Sequence, residues 1–240
     1  MIQVIDFHKT YRETVAVRGL SFEVPAGAIL GLVGANGAGK TTTLRSLAGI
    51  IPPTQGRLLV AGHDVVKEPL AAKAQLAYVP DDPKLFDELT VWEHLEFIAS
   101  AYRVANFQPL ADELLVQMEL TEKRDALAQG LSRGMRQKVA IACAYLHQPR
   151  AILLDEPMTG LDPHGIRTFK ASVAERAKLG AAVVLSSHLL SMVEDLCTHL
   201  LILARGQSLF CGTLAEARSR FPQMSGEASL EEIFFHATAG

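Results

Sequence analysis

The chain has 240 residues, 49% apolar and 20% charged, which excludes a disordered or low-complexity scaffold. Its 23 Lys and Arg against 26 Asp and Glu leave a net charge of −3, so there is no basic excess to coat a nucleic acid and no such partner is expected. No apolar run approaches the roughly 18 residues of a membrane span, and the first ten residues do not pattern as a signal peptide.

Short strands are predicted at the start, over residues 2–7 and 16–24, turning at Pro25-Ala26-Gly27. Residues 28–33 form an apolar run that meets glycines and then a helical pattern over 42–50, the strand–loop–helix order of an α/β unit. Residues 83–130 differ in character, with nine acidic and four basic side chains. There Thr90 and Glu93 read as a capping box, followed by Val91, Leu95, Ile98 and Tyr102 at helical spacing. A second helix is expected over about 109–120, and the whole segment reads as a helical insert. Residues 151–154, 181–185 and 200–203 read as buried parallel strands. A capping box at Ser229 opens a short C-terminal helix expected to dock on the core. The three cysteines, Cys143, Cys197 and Cys211, lack metal-ligand spacing and read as small buried hydrophobes in a reducing cytosol.

The strongest local signal is Gly34-Ala35-Asn36-Gly37-Ala38-Gly39-Lys40-Thr41, which fits G-x-x-x-x-G-K-[ST] at every fixed position. Glycines let backbone N–H groups approach phosphate oxygens with no Cβ in the way. The following helix aims its N-terminus at the same oxygens. Lys40 supplies charge for the outer phosphates, and Thr41 a hydroxyl for Mg²⁺. Asp155 ends a buried strand and is placed to hold Mg²⁺; Glu156 can polarise an attacking water as general base. His188 follows another strand and falls near the same sheet edge, within reach of a γ-phosphate.

Taken together, these residues resemble the ATP-binding cassette (ABC) transporter ATPase subunit over nearly the whole chain. The phosphate loop spans Gly34 to Thr42. Leu131-Ser132-Arg133-Gly134-Met135 resembles the LSGGQ signature, Thr159-Gly160-Leu161-Asp162 the D-loop, and His188 the switch histidine. Tyr11 sits where the family's adenine-stacking aromatic lies, and Val17 where an apolar residue flanks the base. The resemblance implies an α/β P-loop NTPase core with a small N-terminal antiparallel β subdomain and an inserted helical subdomain. Residues 1–82 and 147–220 would form the core, 83–146 the helical part and 221–240 a docked tail.

The resemblance also implies ATP and Mg²⁺ as ligands and a head-to-tail dimer. Ser132 and Gly134 of one chain would meet the γ-phosphate held by the other, with Asp162 beside the nucleotide. Three departures stand out: Asp81 in place of the Gln that follows Tyr-x-Pro, Arg133 in place of a signature Gly, and Met135 in place of Gln. Asp81 can still accept from a metal-bound water. The substituted signature and the Leu230-Glu-Glu-Ile-Phe ending are similar to the exporter branch. A separate transmembrane permease is then expected, docking near residues 81–96, with the chain cytoplasmic and held peripherally at the membrane through that permease alone. A soluble non-transport ABC ATPase and a non-catalytic nucleotide sensor are the competing readings.

Overall fold

The computed structural model describes residues 1–188, 190–220 and 230–238, apart from the side chains of 191, 192 and 236–238. Two sheets organise it. The first is antiparallel and joins β1 (Ile2–Tyr11), β2 (Thr14–Val24), β4 (Gln55–Val60) and β5 (His63–Asp64) in the order β2-β1-β4-β5. The second contains β3 (Ile29–Val33), β6 (Leu76–Val79), β7 (Ala151–Asp155), β8 (Ala182–Ser187), β9 (His199–Ala204) and β10 (Gln207–Thr213) in the order β10-β9-β3-β8-β7-β6. Its members run parallel except β10, which folds back on β9 as a hairpin.

The parallel strands are apolar on both faces because both are covered. Ile152, Leu154, Val183 and Leu185 point into one apolar cluster, which also holds side chains of α3 (Val91–Tyr102), α4 (Gln108–Gln117), α5 (Arg133–Tyr145) and α6 (Pro163–Lys178). Ala151, Leu153, Ala182 and Val184 point the other way, into a cluster shared with β1, β2 and α1 (Lys40–Leu47). The predicted strands are thus present, and β1 continues to Tyr11, beyond the expected residue 7. The helix expected from Thr42 begins two residues earlier, and the one expected over 109–120 occupies Gln108–Gln117. Between them lies the short α2 (Pro69–Ala74).

The Thr90 capping box forms as predicted. Its hydroxyl accepts from the Glu93 N–H at 3.1 Å and Glu93 accepts from the Thr90 N–H at 2.7 Å. The chain closes with α7 (Leu190–Leu196), α8 (Leu214–Arg220) and α9 (Leu230–Thr238), whose Leu230 and Ile233 are buried in the first apolar cluster. Ser229, the expected cap of α9, lies outside the described residues. Cys143 and Cys197 are buried, but Cys211 is exposed on the edge strand β10, so the expectation of three buried cysteines fails there. Among the described residues no helix is long and apolar enough to cross a membrane.

Candidate active site

The register of three neighbouring parallel strands assembles the site. Val33 at the end of β3 lies beside Ser187 at the end of β8, and Ser186 lies beside Asp155 at the end of β7. The glycine loop, His188 and the Asp155–Glu156 pair therefore emerge at one carboxyl edge, where open α/β sheets bind ligands.

Close packing dictates the glycines. A Cβ on Gly34 would stand 2.5 Å from the Leu203 carbonyl oxygen, and Gly39 takes φ 108° with the Ala16 carbonyl 2.9 Å from where its Cβ would be. Gly39 is the N-cap of α1 and supplies no side-chain acceptor, so the first N–H groups of α1 stay available to an anion. Lys40 is 7% exposed; its Nζ donates to the Gly34 carbonyl at 2.7 Å and stands 3.9 Å from Glu156 Oε1. Burial pulls its pKa below the ordinary lysine value, while Glu156 and Asp155 pull it back up.

Asp155 is 3% exposed and accepts from three hydroxyl donors. Its Oδ1 accepts from Ser186 Oγ at 2.7 Å and Thr41 Oγ1 at 3.2 Å, and its Oδ2 from Tyr78 at 3.3 Å. Burial first, and then the Asp155 charge, push the Tyr78 phenol up to about 12, so it stays a donor. The sequence reading missed Ser186 and Tyr78. The signal for each was a polar side chain at the end of an otherwise apolar buried strand. Glu156 holds a left-handed backbone (φ 47°), anchored by its N–H donating to Ser186 Oγ at 3.0 Å. His188 Nδ1 lies 2.8 Å from Glu156 Oε2.

A cavity of about 430 Å³ opens above these groups, lined by Asn36 to Thr42, Asp81, Asp155, Glu156 and residues 14–16. Gly34 and Ala35 lie just behind it; Ala35 lines a second cavity on the outer side of the loop. Tyr11 is exposed at the end of β1, pairs with Thr14, and has Lys9 Nζ 5.0 Å from its ring centre. Val17 does not flank this space as expected: it is fully buried under Gly39, and Val15 and Ala16 line the cavity instead.

Ser132, Gly134 and Asp162 are not brought to this cavity. Ser132 caps α5, its hydroxyl accepting from the Met135 N–H at 3.3 Å, while the Met135 side chain packs against the core. Gly134 presses on the Gly160 carbonyl, 2.7 Å from where a Cβ would stand. Asp162 caps α6 by accepting from the Gly165 N–H at 2.6 Å. Asp81 is at the cavity wall, and its Oδ1 accepts from Arg133 Nη2 at 3.1 Å.

Among the described residues no cluster of three or more His, Cys, Asp or Glu forms a metal cage. One hydroxyl and one carboxylate, Thr41 beside Asp155, suit Mg²⁺ that arrives with nucleotide phosphates and keeps water in its shell.

A phosphate loop, an acidic strand end and a histidine on one parallel sheet edge define a P-loop ATPase. The comparisons narrow the class. The family profile described as "ABC transporter" matches residues 17–159. The ABC-type transporter ATP-binding protein EcsA of Bacillus subtilis is 33% identical over 99% of this chain and 96% of its own. The linearmycin resistance ATP-binding protein LnrL of the same organism is 32% identical over 92% of this chain and 71% of its own. A solved structure described as the ATP-binding subunit of an ABC transporter superposes with a TM-score of 0.94 at 33% identity, covering 99% of both chains. The chain belongs to the ABC transporter ATP-binding family. It is an ATP-binding subunit, and its reaction is the hydrolysis of ATP.

Proposed function

We propose that the chain hydrolyses MgATP at the edge formed by β3, β8 and β7 and so drives export through a separate transmembrane permease. The observation that carries the catalytic part is the Glu156 carboxylate, set between Lys40 and His188 beside Asp155. Mg²⁺ would neutralise phosphate charge; Thr41 and Asp155 would hold it, and Asp81 would accept from a metal-bound water. Loop N–H groups and the start of α1 cradle the phosphates. Lys40 leaves the Gly34 carbonyl for the outer phosphates. Glu156 orients water for in-line attack and accepts its proton; His188 holds that carboxylate through its backbone N–H, which leaves its single ring N–H to donate to the γ-phosphate. Tyr11 stacks on the base.

Ser132 supports a second role. It caps an exposed helix start that does not face this chain's own cavity. We assign it, with Gly134 and Asp162, to the nucleotide of a second copy in a head-to-tail pair. The division into a core (1–82 and 147–220), a helical part (83–146) and a tail (221–240) belongs to the same reading. A groove of about 260 Å³ with exposed Phe86 and Phe97 offers the permease an apolar seat, so membrane contact comes through protein docking on the cytoplasmic face. The name of the LnrL relative, a resistance protein, favours export.

Replacing Glu156→Gln and measuring phosphate release tests the catalytic assignment. Hydrolysis should fall by about 100-fold or more; an unchanged rate would remove Glu156 from the mechanism.

A further inference from the structure

Two residues that depart from the usual family pattern, 52 positions apart, meet in the fold: Arg133 Nη2 donates to Asp81 Oδ1 at 3.1 Å. The contact is held from both sides. Asp81 follows Pro80 at the wall of the phosphate cavity. The Arg133 stem lies over Gly160, its Cδ and Cγ 3.0 and 3.1 Å from where a Cβ would stand, so the bare glycine leaves room for it.

The charges around the cavity explain why such a contact matters. Three carboxylates line it, Asp81, Asp155 and Glu156, against Lys40 as the cation. Asp155 is satisfied by three hydroxyls, and Glu156 faces Lys40 and His188. Asp81 has Arg133. A polyphosphate entering this space brings more negative charge, and any carboxylate left without a cation repels it.

We propose that Arg133 is a positioning residue for nucleotide binding: it neutralises Asp81 at the cavity wall and ties the first turn of α5 to that wall. It acts through Asp81 and does not itself touch the nucleotide of its own chain. The Ser132 helix start is thereby linked to the electrostatic state of the phosphate site. This rests on the reading of the cavity as the phosphate site.

The test is equilibrium binding of a fluorescent ATP analogue with Mg²⁺, at low and at high salt. Full-length wild type is compared with Arg133→Ala, Arg133→Lys, Asp81→Asn and the double variant Arg133→Ala/Asp81→Asn. Arg133→Ala should weaken binding about three- to fivefold at low salt. The loss should shrink as the screening length falls from about 30 Å at 0.01 M to about 8 Å at 0.15 M. Arg133→Lys should bind nearly as wild type, because the contact uses a single nitrogen. The double variant should bind within about twofold of Asp81→Asn alone, since no unpaired charge remains. A thermal melt of each variant separates misfolding from lost affinity. Lys40→Ala serves as the control: if it binds like wild type, the phosphate-site reading itself fails. If Lys40→Ala loses binding but Arg133→Ala does not, or if the double variant stays as weak as Arg133→Ala, the positioning role is overturned.

Discussion

His188 reaches one oxygen of Glu156 twice. Its Nδ1 lies 2.8 Å from Oε2, and its backbone N–H donates to the same atom at 3.4 Å. The other oxygen, Oε1, faces Lys40 at 3.9 Å. The two oxygens of the carboxylate therefore have separate attendants, and its orientation is set from both sides. His188→Ala removes the ring contact while leaving the backbone N–H and the Lys40 contact. We expect kcat to fall about tenfold to 100-fold with KM changing less than about threefold. Steady-state phosphate release against ATP concentration reads both; an effect confined to KM would place His188 in binding and not in the chemical step.

A chain that carries a complete phosphate loop and an outward-facing Ser132 should pair when ATP stays bound. Glu156→Gln with MgATP is expected to show a light-scattering mass near two chains, falling to one without nucleotide. A strict monomer at high protein concentration would argue against the head-to-tail arrangement.

Gly134 meets the Gly160 carbonyl 2.7 Å from where a Cβ would lie. Gly134→Ala must push the start of α5 away from the 159–162 loop, at a cost of about 1–3 kcal/mol. Urea denaturation measures this directly, and an unchanged midpoint would show that the two segments separate freely.

His147 gives a pH dependence of known sign. Its ring stacks on Tyr102 with centroids 3.8 Å apart, and Nε2 donates to the Leu76 carbonyl at 3.2 Å. Burial holds its pKa below the ordinary 6.5, with that carbonyl opposing the shift. A lowered folded pKa means the unfolded chain takes the proton more readily. Stability is then full above about pH 6.5 and is lost as the pH falls through the lower folded value. The melting temperature should drop more steeply from about pH 7 to pH 5 in wild type than in His147→Gln, and parallel curves would rule out His147 as a source of acid sensitivity.

Much of this site was legible in the sequence because its chemistry is local. The phosphate loop, the Asp155–Glu156 strand end and the Thr90 capping box each depend on a few neighbouring residues and form where their patterns fall. Val17 is placed beside the base by resemblance, which gives a position along the strand but not the direction of its side chain. The β1–β2 register shifts between Phe7 and Lys9, and Gly19 takes φ 63°, so the phase slips and Val17 turns inward. The Arg133–Asp81 contact was invisible for a different reason, since it joins segments that only the tertiary fold brings together.

Phe234 of α9 lines a cavity of about 270 Å³ together with Ala35 to Ala38, on the outer side of the phosphate loop. One wall beside the loop is thus supplied by residues nearly 200 positions later in the chain. The inner face of the loop lines the phosphate cavity while its outer face meets α9, so a segment remote in sequence is set against the glycines that shape that cavity.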